Sequence, residues 1–328
     1  PVVPAWNFRL APMPCRDSSK KAAYAELHAL SNFTFLRGAS HPEELVETAA
    51  QLGYEALAVT DECSVSGIVR AHMAARDAGL KKLIVGCEVR LENGMKLVLL
   101  AANRSGYGRL CQLISDGRRA AEKGSYKLRP QDFCDGLPDC LALWIPDNRL
   151  QLSSQDNWIR DAFHDRLWIA VELLADGLER QRLQQLRALG RAQQLPLVAC
   201  GDVHMHRRER RALQDTVTAI REGLTLDRAG FALYPTGERV LRPRGHLASI
   251  YPAALLEETL RVAERIDFSL DELRYEYPDE LVPAGETASG YLRRLSEEGM
   301  SRRWPDGVPL KVESLVEHEL QLIHELEY

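Results

Sequence analysis

Short apolar runs separated by stretches of helical period occupy residues 24–104. Tyr24–Leu30 reads as a strand, as do Leu57-Ala58-Val59-Thr60, Lys82–Glu88 and Lys96–Ala101, which are rich in Leu, Ile, Val and Ala. After the first of these, Ser40-His41-Pro42-Glu43-Glu44-Leu45 is a helix start. Ser40 is placed at the N-cap, proline falls in the first turn, and the acids face the positive end of the helix dipole. This helix is predicted to run to Gly53, and a second, amphipathic one from Val65 to Ala78, closed by Gly79. The pattern returns at 168–204, with strand Trp168–Glu172, helix Asp176–Gln194 and strand Pro196–Cys200. Alternation of strand and helix, with uninterrupted apolar strands, predicts parallel strands covered by helices, as a barrel or an open sheet.

Periodicity weakens between residues 121 and 165, where Gly, Pro, Asp and Asn are frequent. From about residue 268 an extended linker is predicted, through Tyr275-Glu276-Tyr277-Pro278 and Pro283-Ala284-Gly285. Two helices follow, Ser289–Arg303 and Val308–Leu326. The second is amphipathic, with Leu315, Val316, Leu320, Leu322 and Ile323 among its apolar positions. The sequence starts on Pro1 and stops at Tyr328 without a closing signal, which predicts a chain cut near the start of a further domain. No run approaches 18 apolar residues, so no membrane span is expected.

Composition narrows the picture. With 328 residues, 45% hydrophobic and 27% charged, the chain suits one barrel-sized domain and a smaller appendage. A net charge of −5 argues against a surface that grips nucleic acid all over. The basic clusters Arg207-Arg208-Glu209-Arg210-Arg211 and Arg118, Arg119, Lys123 read as solvated helix faces. Cys15, Cys63, Cys87, Cys111, Cys134, Cys140 and Cys200 form no C-x-x-C pair; most are expected to pack as small hydrophobes in a reducing, cytoplasmic setting.

Polar residues gather where apolar strands end: Thr60-Asp61-Glu62, Glu88, and Gly201-Asp202-Val203-His204-Met205-His206. In an α/β barrel the C-terminal strand ends are where chemistry is assembled. His206, two residues from His204, shares its face on an extended chain. His41, His72, His164, His246, His318 and His324 lie outside any motif and are read as surface or packing residues.

Four segments carry a resemblance in chain order: Glu26-Leu27-His28 through Ser40, Ala58-Val59-Thr60-Asp61-Glu62-Cys63-Ser64 through Gly67, Ile84–Val89, and Gly201-Asp202-Val203-His204 followed by Arg211-Ala212-Leu213-Gln214-Asp215. Together with Tyr275–Pro278 and Tyr291-Leu292 they resemble the N-terminal PHP domain of bacterial C-family DNA polymerases. The resemblance implies a distorted seven-stranded α/β barrel, a (β/α)7 fold, whose intact form holds three metal ions on nine ligands and hydrolyses phosphoesters. It also implies a division into an N-terminal arm (1–23), the PHP domain (24–267), and a linker with the first helices of a truncated palm (268–328).

Against the family's pattern this chain keeps His28, Glu88, Asp202 and His204 and replaces other ligands. Leu30 stands for the second His of His-x-His, Arg37 for an acid, Glu62 for a His and Lys96 for a His. The remnant leaves three readings: an inert ion-paired site, a single weakly held Zn²⁺ or Mn²⁺ on His28, Glu88, Asp202 and His204, or an active multinuclear site; Arg37 and Lys96 would favour an anion such as phosphate over a metal. The degraded pattern is similar to that of the ImuC-type error-prone polymerases. That likeness implies damage-induced translesion synthesis by a full-length DNA-directed DNA polymerase using Mg²⁺. The partners it implies are the remainder of the polymerase chain, DNA, an ImuB-like protein and the sliding clamp, with no membrane. The chain by itself is expected to have no catalytic residues and no cofactor, and to act as a scaffold and partner surface. The alternative is a PHP phosphoesterase or proofreading 3′–5′ exonuclease with a reduced metal set. No Asp-x-Asp pair of polymerase type occurs, so no DNA synthesis is expected from these residues alone.

Overall fold

In the computed structural model, which describes residues 23–147, 158–274 and 282–326, seven strands form one sheet ordered as they occur in the chain. They are β1 (Ala25–Ala29), β2 (Ala56–Val59), β3 (Leu83–Arg90), β4 (Lys96–Ala101), β5 (Cys140–Ile145), β6 (Leu167–Glu172) and β7 (Leu197–Cys200). Helices α1 (Pro42–Leu52), α2 (Ile68–Ala78), α3 (Arg104–Arg119), α4 (Trp158–Phe163) and α5 (Glu179–Gln193) lie between strands. After β7 come α6 (Arg211–Arg221), α7 (Leu226–Ala229), α8 (Arg244–Ile250) and α9 (Ala253–Glu264). The last strand returns to the first: Leu30 N–H donates to Val203 O at 2.8 Å, and Val203 N–H to His28 O at 3.0 Å. The sheet is thus a nearly closed barrel.

The expectation of uniformly parallel strands fails at β4, which is antiparallel to both β3 and β5. A parallel connection needs a crossover of a dozen or more residues. Only Leu91–Met95 link β3 to β4, turning through Gly94 at φ 89°. Three boundaries also move. His41 takes the N-cap position of α1 instead of Ser40, and its N–H donates to Glu44 Oε2 at 2.9 Å. The second helix starts at Ile68, and α5 at Glu179. β5 lies in the stretch where periodicity faded; its Leu141 and Leu143 are buried inside the barrel.

In five of the strands alternate residues face the barrel interior: Ala56 and Ala58, Val98 and Leu100, Leu141 and Leu143, Trp168 and Ala170, Val198 and Cys200. Val262, Ala263 and Ile266, on and just after α9, pack into the same cluster. The other faces meet α1, α2, α3 and α5 in a second, larger core. No helix among the described residues is long and apolar enough to cross a membrane.

A second compact unit begins at Leu273. It holds α10 (Ala288–Arg303) and α11 (Leu310–Glu325), close to the predicted spans. Arg293 clamps Glu317 with two bonds of 2.7 and 2.8 Å, and neither helix has a buried residue. Trp6, Cys15 and the Tyr275–Pro278 motif lie outside the described residues.

Candidate functional site

Strand parity, and one break in it, carry five polar side chains to one end of the barrel. Glu88 continues the interior face of Ile84 and Gly86, Glu172 that of Trp168 and Ala170, and Asp202 that of Val198 and Cys200. Because β4 runs backwards, Lys96 at its start reaches the same end. His28 breaks parity: Leu27 faces inward, yet so does His28, because the β1–β2 register shifts between Glu26 and Ala29. Irregularities of this kind re-aim a side chain at a site.

The five side chains interlock. His28 Nε2 lies 2.8 Å from Glu88 Oε2, and its Nδ1 faces Glu172 Oε1 at 3.4 Å and Asp202 Oδ1 at 3.6 Å. Lys96 Nζ sits 2.9 Å from Glu88 Oε2 and 3.9 Å from Asp202 Oδ1. Arg37 bridges two acids, pairing with Glu62 and reaching Glu88 Oε1 at 2.6 Å. His204 Nε2 is 3.1 Å from Asp202 Oδ1, and Arg239 pairs with the other oxygen of that carboxylate. Asp202 itself has φ 44°, a left-handed conformation that Asp tolerates better than most residues.

Electrostatics follows the geometry. Burial works to raise the Glu88 carboxyl, but Lys96, Arg37 and the His28 hydrogen bond overcome it and hold Glu88 well below its usual range. Burial likewise opposes ionisation of Glu172, yet the neighbouring His28 and Lys96 bring it down to about 2. Burial drives the His204 imidazole well below its ordinary value, reinforced by Arg37 and Lys96. Glu88 and Glu172 are therefore charged and His204 is neutral at pH 7.

The loop that presents Arg37 is tied down from beneath. Asp61 accepts from Ser31 N–H, Ser31 Oγ and Thr34 Oγ1, each at 2.7 Å. Asp61→Ala is expected to destabilise the chain by about 2–4 kcal/mol, since three buried donors lose their acceptor; a change under 1 kcal/mol in urea unfolding would contradict this. Gly38 closes the loop where a Cβ would lie 1.9 Å from Ser31 O. On the far side, Tyr126 OH donates to Glu62 Oε1 at 2.9 Å, while the Arg118 guanidinium donates to Glu62 O and Cys63 O. Arg118 is thus a support of the site and not the solvated residue expected of it.

Other predicted positions resolve differently. Leu30 is buried and apolar. The ring of His206 bonds Ser40 Oγ at 2.8 Å, away from the Asp202 group. In the Arg207–Arg211 run, Arg208, Arg210 and Arg211 pair with Glu238, Glu44 and Asp215. Glu172, Arg239, Tyr126 and Tyr234 were not singled out by the sequence reading. Only Glu172 had a readable signal there: an acid at the end of an apolar strand, like Glu88.

The metal set implied by the family resemblance can be tested against these contacts. Glu88 is engaged by two cations and His28, and Asp202 by Arg239 and His204, so a multinuclear set does not fit. One ion fits better. His28, Glu172 and Asp202 offer ligand atoms within 4.8 Å of one another, and His28 Nδ1 and Glu172 Oε1 are buried without a hydrogen-bond partner.

Comparison with known proteins agrees with this architecture. Residues 26–144 match the PHP domain family model. The chain is 58% identical over 311 residues to an error-prone DNA polymerase of Methylococcus capsulatus, covering 94% of this chain and 30% of that protein. It is 54% identical over 310 residues to one from Dechloromonas aromatica and 53% identical over 309 residues to one from Pseudomonas aeruginosa, again spanning 30% of each. The chain therefore spans about a third of the length of these relatives. Among solved structures, an amidohydrolase from Chromobacterium violaceum superposes with a TM-score of 0.39 at 16% identity, over 56% of this chain and 88% of that one. A likeness at that level carries no functional argument. Barrel, motifs and relatives point the same way: residues 26–144 match the PHP domain family, and the chain is similar over more than nine-tenths of its length to 30% of each of these error-prone DNA polymerases.

Proposed function

We propose that this chain is the N-terminal, PHP-bearing part of an ImuC-type error-prone polymerase that acts in translesion synthesis, and that its barrel is an ion-paired scaffold instead of a hydrolase. The observation that carries the second half is Glu88, a family ligand position, occupied by Arg37 and Lys96. A unit charge 4 Å from another costs or gains about 4 kcal/mol at an effective dielectric of 20, and a divalent ion doubles it. Cations already seated on the carboxylates therefore oppose a cluster of metal ions. Mg²⁺-dependent nucleotidyl transfer, DNA, an ImuB-like partner and the sliding clamp belong to the longer polypeptide in this reading.

The purified chain is expected to release no 3′-terminal nucleotide and to hydrolyse no phosphoester with Mn²⁺ or Zn²⁺ supplied, and to incorporate no dNTP on a primed template. The longer polypeptide should incorporate dNTPs. A second reading, a hydrolase with one metal, is favoured by the His28, Glu172 and Asp202 cluster. Stoichiometric metal in the isolated chain, with turnover abolished by Asp202→Asn, would establish that reading and remove the scaffold.

A further inference from the structure

The third cation of the site does not come from a barrel strand. Arg239 lies on the strap between α7 and α8, which crosses the mouth and is tied at several points. Arg211 donates to Tyr234 O and Thr236 Oγ1 to Leu174 O, both at 2.5 Å. Arg239 O accepts from His204 N–H at 2.9 Å and Met205 N–H at 3.2 Å. The guanidinium is aimed as well as anchored. Its central carbon lies 4.4 Å from the centroid of the Tyr234 ring, which in turn packs edge-on against His204 at 5.2 Å. From there it pairs with Asp202, leaving 18% of its side chain exposed.

We propose that Arg239 is a built-in counter-ion that excludes a divalent metal from the His28, Glu172 and Asp202 position, and that removing its guanidinium opens this position to one ion. The inference rests on the ion-paired reading above and deepens it by naming the residue that closes the site. The charges support it. Four carboxylates, Glu62, Glu88, Glu172 and Asp202, face three cations, Arg37, Lys96 and Arg239. Arg37 is committed to Glu62 and Glu88, and Lys96 lies 1.0 Å closer to Glu88 (2.9 Å) than to Asp202 (3.9 Å). Without Arg239, the uncompensated charge falls on Asp202 and Glu172, beside the unpartnered Nδ1 of His28. One imidazole nitrogen and two carboxylates suit Mn²⁺ or Zn²⁺.

The experiment compares the full chain, Arg239→Ala and Arg239→Lys after chelator treatment, by calorimetric titration with Mn²⁺ or Zn²⁺ alone and by thermal melting. Arg239→Ala is expected to bind one equivalent more tightly than the parent chain by at least about 100-fold, a lower bound on what removal of a unit charge close to a divalent ion implies. Its Tm should rise with that metal, and adding Asp202→Asn should abolish both effects. A readout without metal accompanies it: millimolar guanidinium at constant ionic strength should raise the Tm of Arg239→Ala and leave the parent unchanged. Arg239→Lys, which keeps the charge, should bind metal as weakly as the parent. Equally weak binding by Arg239→Ala and the parent would overturn the inference and leave the scaffold reading standing. Tight stoichiometric binding by the parent would overturn both. Should Arg239→Ala not fold unaided, refolding with Mn²⁺ or guanidinium is expected to restore it, and failure of both also refutes the role.

Discussion

Glu88→Ala is expected to lower the unfolding free energy of the barrel by about 3–5 kcal/mol, the usual cost of breaking a buried ion pair from one side. Glu88 is fully buried and meets three partners, Lys96, Arg37 and His28. Truncating it leaves two cations and an imidazole facing each other without their shared acceptor. The loss should be large because those cations have poor alternatives: Lys96 is 3.9 Å from Asp202, which Arg239 already neutralises. The expected compensation is equally specific. Replacing a buried pair on both sides by apolar groups is often neutral, so Glu88→Leu combined with Lys96→Met should recover much of the loss. Urea unfolding followed by the fluorescence of Trp144 and Trp168, both in barrel strands, measures it. A cost below about 1 kcal/mol for Glu88→Ala would mean that the network does not bear on stability.

Acid should unfold the barrel in two overlapping stages. His204 has a folded-state pKa well below its ordinary 6.5, so the unfolded chain takes up a proton that the folded one refuses. The stability tied to neutral His204 is complete above pH 6.5 and declines below it. Glu172 is depressed from 4.5 to about 2, which contributes stability that is complete above pH 4.5 and lost as the pH falls towards 2. Glu88, also depressed, acts in the same direction in the acidic range. Chemical unfolding at several pH values should therefore show a slope beginning near 6.5 that steepens below 4.5. Lys96→Met should flatten the lower part, because it removes a cation that depresses both acids. A profile flat from pH 7 to 3 would rule out the charged cluster.

Much of this site was legible in the residues. That Arg37 and Lys96 are cations and Glu62 and Glu88 acids, able to pair as they do, is a matter of side-chain chemistry, and chemistry is written in sequence. Asp202 was legible as an acid just past the end of an apolar strand, and Glu88 too, since period-two spacing along a strand places a residue on the interior face without reference to any neighbour. Glu172 obeys the same rule and could have been found by it. Arg239 and Tyr126 could not. Each belongs to a surface segment with no periodic signal and reaches the site only through folding, Arg239 against Asp202 and Tyr126 against Glu62.

What the sequence by itself determined is the set of elements and the chemistry offered at their ends: seven apolar strand candidates less β5, capped helices, and acids and histidines at strand termini. Local propensity and periodicity act over a few residues, so they survive in the sequence. The tertiary structure decided the rest. It reversed β4 because five residues cannot carry a crossover, and so brought Lys96 to Glu88. It shifted the register of β1 and turned His28 inward. It also laid the strap carrying Arg239 across the barrel mouth. These are long-range contacts, whose partners are chosen by closure of the barrel and by the cost of leaving a buried charge unpaired.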